Sequence, residues 1–287
     1  MSLKDSEWFT EAFEGKTAFS VRYSRKLYET TSKFQKIEVY ETEVMGRVLI
    51  LDGCFMVTEK DSFVYHEMLV HPAMSAVKGV RRVLVIGGGD GGAVTEVVKY
   101  PEVKSVVLCE IDPMVVDTCR EFFPSVSGGL KDPRVTVVNE DGAAFVQNFK
   151  NEFDLVMVDS TDPVGPGQVL FETSFYESVK AGLRSGGAAV FQTESPFFMS
   201  TVFSRAVKDL QGVFGSRNTK PYLVTIPSYP GGLWSFTFCS MLCSPLPTVR
   251  EFASESMPGS LQYYNPEVHR AGFALPAFVQ QLLNEPR

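Results

Sequence analysis

The chain has 287 residues, 44% of them hydrophobic and 21% charged, the composition of an ordinary globular protein able to bury a sizeable core. No segment approaches about eighteen uninterrupted apolar residues, so no membrane-spanning helix is expected, and MSLKDSEWFTEAFEG carries charges where a secretion signal needs an apolar stretch, which predicts a cytoplasmic protein. A net charge of −7 with dispersed lysines and arginines argues against nucleic acid as a partner and suits a cationic small substrate.

Residues 1–62 read as a small N-terminal β domain. Lys36-Ile37-Glu38-Val39-Tyr40, Arg47 to Leu51 and Phe55 to Thr58 alternate apolar with polar side chains, as half-buried antiparallel strands do. Asp52-Gly53 supplies a tight turn between two of them. So thin a unit needs a surface to pack on, either the rest of the chain or a second subunit.

From Phe63 the texture changes, and residues 63–287 read as the main domain. Phe63 to Lys78 has helical spacing, with Val64, Met68, Val70 and Met74 among its apolar positions. Val83–Ile86, Val106–Leu108, Val135–Val138 and Leu155–Val158 are apolar runs of strand length, each followed by glycine or acidic turn residues and then a helix-like stretch. A fifth run, Ala188–Phe191, follows Gly186-Gly187. Such near-continuous β-branched runs suit parallel strands buried on both faces. Tyr222–Ile226 and Trp234–Phe238 flank Pro-Ser-Tyr-Pro-Gly-Gly and read as a terminal hairpin. The expected fold is α/β, with a Rossmann-like sheet of the class-I methyltransferase type and a small N-terminal antiparallel β domain.

The five cysteines (Cys54, Cys109, Cys119, Cys239, Cys243) form no CxxC pair and read as reduced, mostly buried thiols. His66, Glu67 and His71 stand in the wrong register for a zincin helix, and His269 is remote, so no metal is expected.

Val83-Leu84-Val85-Ile86 runs into Gly87-Gly88-Gly89-Asp90-Gly91-Gly92, a GxGxxG at Gly87, Gly89 and Gly92 with a strand before it and a helix after. Dinucleotide and S-adenosyl sites share that pattern. Asp90 separates them, because a carboxylate in this loop would repel a pyrophosphate by several kcal/mol and attract a sulfonium or an ammonium. Capping of the following helix is the competing role for Asp90, and would not exclude binding. Glu110 ends the next strand, about 20 residues on, where an acid can take ribose hydroxyls. Asp112 follows it, and Asp141-Gly142 follows the third strand, suited to an adenine edge. The fourth strand opens into Asp159-Ser160-Thr161-Asp162-Pro163-Val164-Gly165-Pro166, two acids at a strand's carboxyl end in a stiff loop.

These segments resemble the spermidine synthases, members of the polyamine aminopropyltransferase family. GGGDGG, DSTDPVGP, YHEM at Tyr65–Met68, IPSYPGG at Ile226–Gly232 and YYNPEVHRAGFALP at Tyr263–Pro276 follow the family's order over nearly the whole chain. The resemblance implies transfer of an aminopropyl group from decarboxylated S-adenosylmethionine to putrescine, without a cofactor, by a homodimer or homotetramer. It implies a donor set of Gln35, His66, Gly87, Gly89, Asp90, Gly92, Glu110, Asp141, Gly142 and Pro166. In that set Glu110 would hold the ribose, Asp141 the adenine amino group and Asp90 the aminopropyl amine. His66 stands where some members carry Gln, and its role stays open. Asp159 would be the base and Tyr65 its orienting partner, with Tyr65, Asp159, Asp162 and Tyr229 lining the putrescine channel between Trp8 and Trp234. Taken by themselves, both tryptophans are as well explained as core fillers. Residues 160–172 would form a lid over the substrate. Other acceptor amines, and the related putrescine N-methyltransferases, stay open as alternatives.

Overall fold

In the computed structural model, which describes residues 7–13, 16–163, 165–242, 244–245 and 261–285 (residue 166 by its backbone only), two sheets share one chain. Cys243 and the Pro166 side chain, both named above, lie outside the described residues.

The first sheet is an antiparallel meander of β1 (Trp8–Phe13), β2 (Thr17–Thr31), β3 (Lys36–Thr42), β4 (Gly46–Leu51) and β5 (Cys54–Thr58). Asp52 and Gly53 both have positive φ, 48° and 86°, which is what a two-residue turn needs to follow the twist of β4 and β5. One face carries Ile37, Val39, Leu49, Leu51 and Val57, and buries them against Val115, Cys119, Phe123 and Val126. The thin unit therefore packs on the rest of the chain. The sequence pattern marks only the last three of these strands.

Helix α1 (Ser62–Ala76) follows and is buried nearly all round, its polar His66, Glu67 and His71 included. The second sheet comprises β6 (Arg82–Gly87), β7 (Ser105–Cys109), β8 (Val135–Val138), β9 (Phe153–Asp159), β10 (Leu183–Gln192), β11 (Thr219–Thr225) and β12 (Leu233–Ser240). Its order is β11-β12-β10-β9-β6-β7-β8. The central pairs β10–β9, β9–β6, β6–β7 and β7–β8 are parallel, and β12 joins antiparallel to β10 and β11. This is the methyltransferase-like α/β sheet that the strand runs imply.

The chain reverses direction across the sheet at β6, with β7 on one side and β9 on the other. A crevice opens at such a switch point, outside the carboxyl ends of the strands. Register does the rest: Gly87 pairs with Asp159, so the end of β9 lies directly beside the start of the glycine loop. Among the described residues, no helix is long and apolar enough to cross a membrane.

Candidate active site

The crevice is walled by the glycine loop, α1, the ends of β7 and β9, and the N-terminal sheet. Gly87 has φ 75°, and a Cβ there would overlap the Asp159 carbonyl. Only glycine lets β6 and β9 close up at this point. Gly92 serves differently: a Cβ on it would occupy the place of the His66 ring, so the last glycine of the motif makes room for a side chain. Gly92 is not among the residues lining the crevice, whereas Gly87 and Gly89 are.

Asp90 makes two contacts, with the backbone just ahead and with His66, and the N-cap of the following helix is Gly91. Its Oδ1 accepts the Gly92 N–H at 2.6 Å, tying down the start of α2 (Gly92–Val97), and lies 3.1 Å from His66 Nε2 at the crevice wall. Burial works to lower the His66 pKa, yet the Asp90 carboxylate beside it raises it to about 9. Burial likewise opposes ionisation of Asp90, and the imidazolium together with the Gly92 N–H pulls its pKa below the usual range. The pair is a charge-balanced unit at neutral pH. The donor atoms of His66, Asp90 and Asp159 lie within 4.8 Å of one another, a spacing that could hold a metal ion. A metal ion there would have to displace the proton that the Asp90 charge holds on His66.

Glu110 Oε2 accepts the Gly89 N–H at 3.1 Å and Oε1 accepts the Asp112 N–H at 2.9 Å. Burial still lifts its pKa to about 7. Asp112 is fully buried, caps α3 (Pro113–Phe122) through the Met114 N–H, and accepts from Ser32 Oγ at 2.6 Å and Gln35 Nε2 at 3.0 Å. It is thus a tie between the two sheets that sets Gln35 in the crevice wall. Asp141 caps α4 (Gly142–Val146) through the Ala143 N–H at 2.8 Å and, with Gly142, completes the same wall.

Asp159, at the end of β9, lines the crevice. Its Oδ1 accepts the Tyr65 O–H at 2.6 Å, and its Oδ2 is buried with no hydrogen-bond donor. Burial first, and then the charge of Asp90, raise the pKa to about 7, against the opposing pull of His66 and Tyr65. A second cavity adjoins the crevice, and Tyr65, Tyr229, Ser160 and Thr161 line both.

The second cavity is acidic. Asp162, Glu194 and Glu11 line it, beside Tyr229 and Trp234, whose rings meet edge to face at 4.8 Å. Glu194 is fully buried with a left-handed backbone (φ 68°), held by its N–H to Gln192 Oε1 and by Ser235 Oγ donating to its carbonyl. Gln192 Nε2 donates to Glu194 Oε1 at 2.8 Å, while Oε2 has no donor. Burial and the neighbouring Asp162 hold Glu194 well above the carboxylate range, and burial raises Asp162 too. Glu11 accepts the Phe55 N–H at 2.8 Å, and burial lifts it to about 7. Among the described residues, no lysine or arginine lines this cavity.

Two family models match the chain. The model of the spermine/spermidine synthase domain covers residues 62–248, and that of the spermidine synthase tetramerisation domain covers residues 7–59. The chain belongs to the spermine/spermidine synthase family of polyamine aminopropyltransferases. Curated family members at similar length include the polyamine aminopropyltransferase of Thermoanaerobacter sp. (strain X514), 43% identical over 279 residues, 97% of this chain and 99% of that one. That of Clostridium botulinum (strain Eklund 17B / Type B) is 41% identical over 282 residues, 97% and 98% of the two chains. Among solved structures, a spermidine synthase in complex with the transition state analogue AdoDATO superposes with TM-score 0.94 at 39% identity, covering 98% of this chain and 96% of the other. Spermidine synthase from Thermotoga maritima gives 0.91 at 37% identity, covering 98% and 95%.

Within this family member the structure gathers most of the residues singled out from the sequence, and leaves two aside. Gly92 packs on His66, as described. Trp8 lines neither cavity. It lies on β1 with parity opposite to Glu11 and Phe13, which do line the acidic cavity, and successive strand residues face opposite sides. Sequence reasoning missed Glu11 and Glu194. For Glu194 a signal was present, since it stands just past the fifth apolar run, as Glu110 and Asp159 stand at the ends of theirs.

Proposed function

We propose that this chain transfers the aminopropyl group of decarboxylated S-adenosylmethionine to putrescine, giving spermidine and 5′-methylthioadenosine. One observation carries the reading: a buried carboxylate, Asp159, with an oxygen that accepts from no described residue, lines a nucleotide-type crevice whose Tyr65, Ser160 and Tyr229 also line an acidic cavity. No cofactor is invoked, and the donor is a co-substrate.

In this reading Glu110 takes the donor's ribose hydroxyls, Asp141 and Gly142 border the adenine, and Gln35 closes the ribose side. The Asp90–His66 pair meets the aminopropyl ammonium, with His66 giving up its proton or moving aside. Ordinary S-adenosylmethionine would bring a carboxylate toward Asp90 and Asp159, and like charges disfavour it. The acceptor spans the second cavity. Its distal ammonium sits among Asp162, Glu194 and Glu11, while the rings of Tyr229 and Trp234 cover the methylenes and favour the cation.

The step is an in-line displacement at the methylene beside the sulfonium, and the thioether leaves neutral. The nucleophile must first lose a proton. An alkylammonium resembles lysine, with pKa about 10.4, so neutralising it at pH 7 costs about 4–5 kcal/mol. The sulfonium's charge reduces that cost, and Asp159, raised to about 7, is a stronger base than an exposed carboxylate. The Tyr65 O–H fixes the carboxylate's orientation and leaves Oδ2 for the amine. Holding nitrogen and methylene at about 3–3.5 Å adds a positional gain.

The N-terminal sheet is where we place homo-oligomer contacts, as a dimer or tetramer, and the cytoplasm is the proposed location. The test is product analysis. Incubation with the decarboxylated donor and a panel of putrescine, cadaverine, agmatine and spermidine should give spermidine and methylthioadenosine one to one, fastest with putrescine. N-methylputrescine from S-adenosylmethionine, or preference for another amine, would overturn the assignment.

A further inference from the structure

The wall of the acidic cavity carries a thiol that the reaction above does not use. Cys54, the first residue of β5, lines this cavity together with Glu11, Asp162 and Glu194. It is half-buried, whereas Cys109, Cys119 and Cys239 are buried. A second observation says what would be drawn to it. Glu194 is fully buried, lines the same space, and keeps Oε2 without any hydrogen-bond donor. With no lysine or arginine among the described residues of the lining, the cavity selects cations and rejects anions.

We propose that Cys54 is a modification site for small cationic disulfides, aminoalkyl disulfides whose ammonium is held by Glu11, Asp162 and Glu194, and that the mixed disulfide so formed closes the cavity to amines. The proposal rests on reading this cavity as the amine site. Burial, and then the charges of Glu11 and Asp162, push the Cys54 thiol up to about 12, so in the empty cavity it is a poor nucleophile. An ammonium placed among the carboxylates reverses that field and favours the thiolate. The reagent class that binds is therefore also the class that activates the sulfur.

The chemistry is an exchange and needs no external oxidant. The Cys54 thiol loses its proton, its sulfur attacks the nearer sulfur of the bound disulfide, and the old S–S bond breaks. The aminoalkyl thiolate leaves and takes up a proton as a free thiol, so one disulfide replaces another. A thiol reductant in excess reverses the step.

The full chain should be treated in parallel with cystamine, a dication, and with 3,3′-dithiodipropionate, a dianion, and its cysteine peptides mapped by mass. Cystamine should modify Cys54 about tenfold faster than the dianion or better. Saturating putrescine should slow that modification, and dithiothreitol should restore turnover. Glu194→Gln should bring the cystamine rate toward that of the dianion. In Cys54→Ser, turnover of whatever activity remains should resist cystamine. Equal rates for the two reagents, or labelling confined to other cysteines in a protein that turns over putrescine, would overturn the proposal alone. A cation-selective Cys54 adduct that putrescine does not slow would uphold the site and count against the amine reading.

Discussion

The two cavities that share Tyr65, Ser160, Thr161 and Tyr229 are both lined by acids, yet their acids are held in different ways. On the nucleotide side, Asp90 has His66 and a backbone N–H, Glu110 has two backbone N–H groups, and Asp141 has another. In the second cavity, the one we assign to the acceptor, Glu194 is buried close to the half-buried Asp162, and one Glu194 oxygen has no donor among the described residues. The first region carries one counter-charge within the fold, His66 beside Asp90. The second has no such partner among the described residues, and burial raises the pKa of Glu11, Asp162 and Glu194, as it also raises Glu110 in the first. A site built this way is completed by a cationic ligand, and its affinity should follow charge more steeply than shape.

The contrast can be broken at several points. The largest effect is expected in the crevice: Asp159→Asn should lower turnover by about 10²–10⁴-fold, because the base is lost. Donor binding, measured by calorimetry, should persist. On the acceptor side, Glu194→Gln should raise the KM for putrescine about tenfold while moving the donor's KM little, as expected for a lost charge-assisted contact worth about 1.5–3 kcal/mol. An equal change in both constants would show that the two cavities are not independent.

A smaller effect is expected from pH. Glu11, with its pKa raised to about 7, is neutral below that value and charged above it. The KM for putrescine, measured at saturating donor, should therefore fall several-fold as pH rises through the neutral range. Asp159 ionises in the same range, so turnover should rise with pH and level off above about pH 7. Turnover that falls over this range would remove Asp159 as the base.

A last effect concerns stability. The folded Asp159 binds a proton more tightly than the unfolded one between the ordinary aspartate value of 3.8 and about 7, so the unliganded protein loses stability as pH rises across that window. Asp159→Asn lacks this loss. At pH 8 it should be more stable than the wild type by about 1–3 kcal/mol, an advantage that vanishes near pH 4. Thermal melts at both pH values would check it, and would separate an inactive variant from an unfolded one.

How much of this was legible in the sequence follows the same divide. The nucleotide side is written locally, as a glycine loop and acids at successive strand ends, and a pattern within a few residues reports it. Gly92 is the exception, since its neighbour His66 comes from a helix earlier in the chain. The acceptor side is assembled from afar: Glu11 from β1, Asp162 after β9 and Glu194 after β10. No local spacing links them. The strands β1 and β2 also escaped notice, because β2 buries only one of its fifteen residues and shows no clean alternation. Without β1 as a strand, the sequence assigns Trp8 no face, and in the structure Glu11 and Phe13 of that strand line the second cavity instead.

The bond from Asp112 to Ser32 and Gln35 has a further bearing on how far this molecule can be taken apart. Residues 63–287 expressed by themselves would leave a fully buried carboxylate without two of its partners, and would bare Val115, Cys119 and Phe123 to water. Such a fragment would also lack one flank of its own binding crevice. The β meander is accordingly an inseparable component of the enzyme, and truncation at the boundary between the sheets should yield an insoluble product instead of a minimal catalyst.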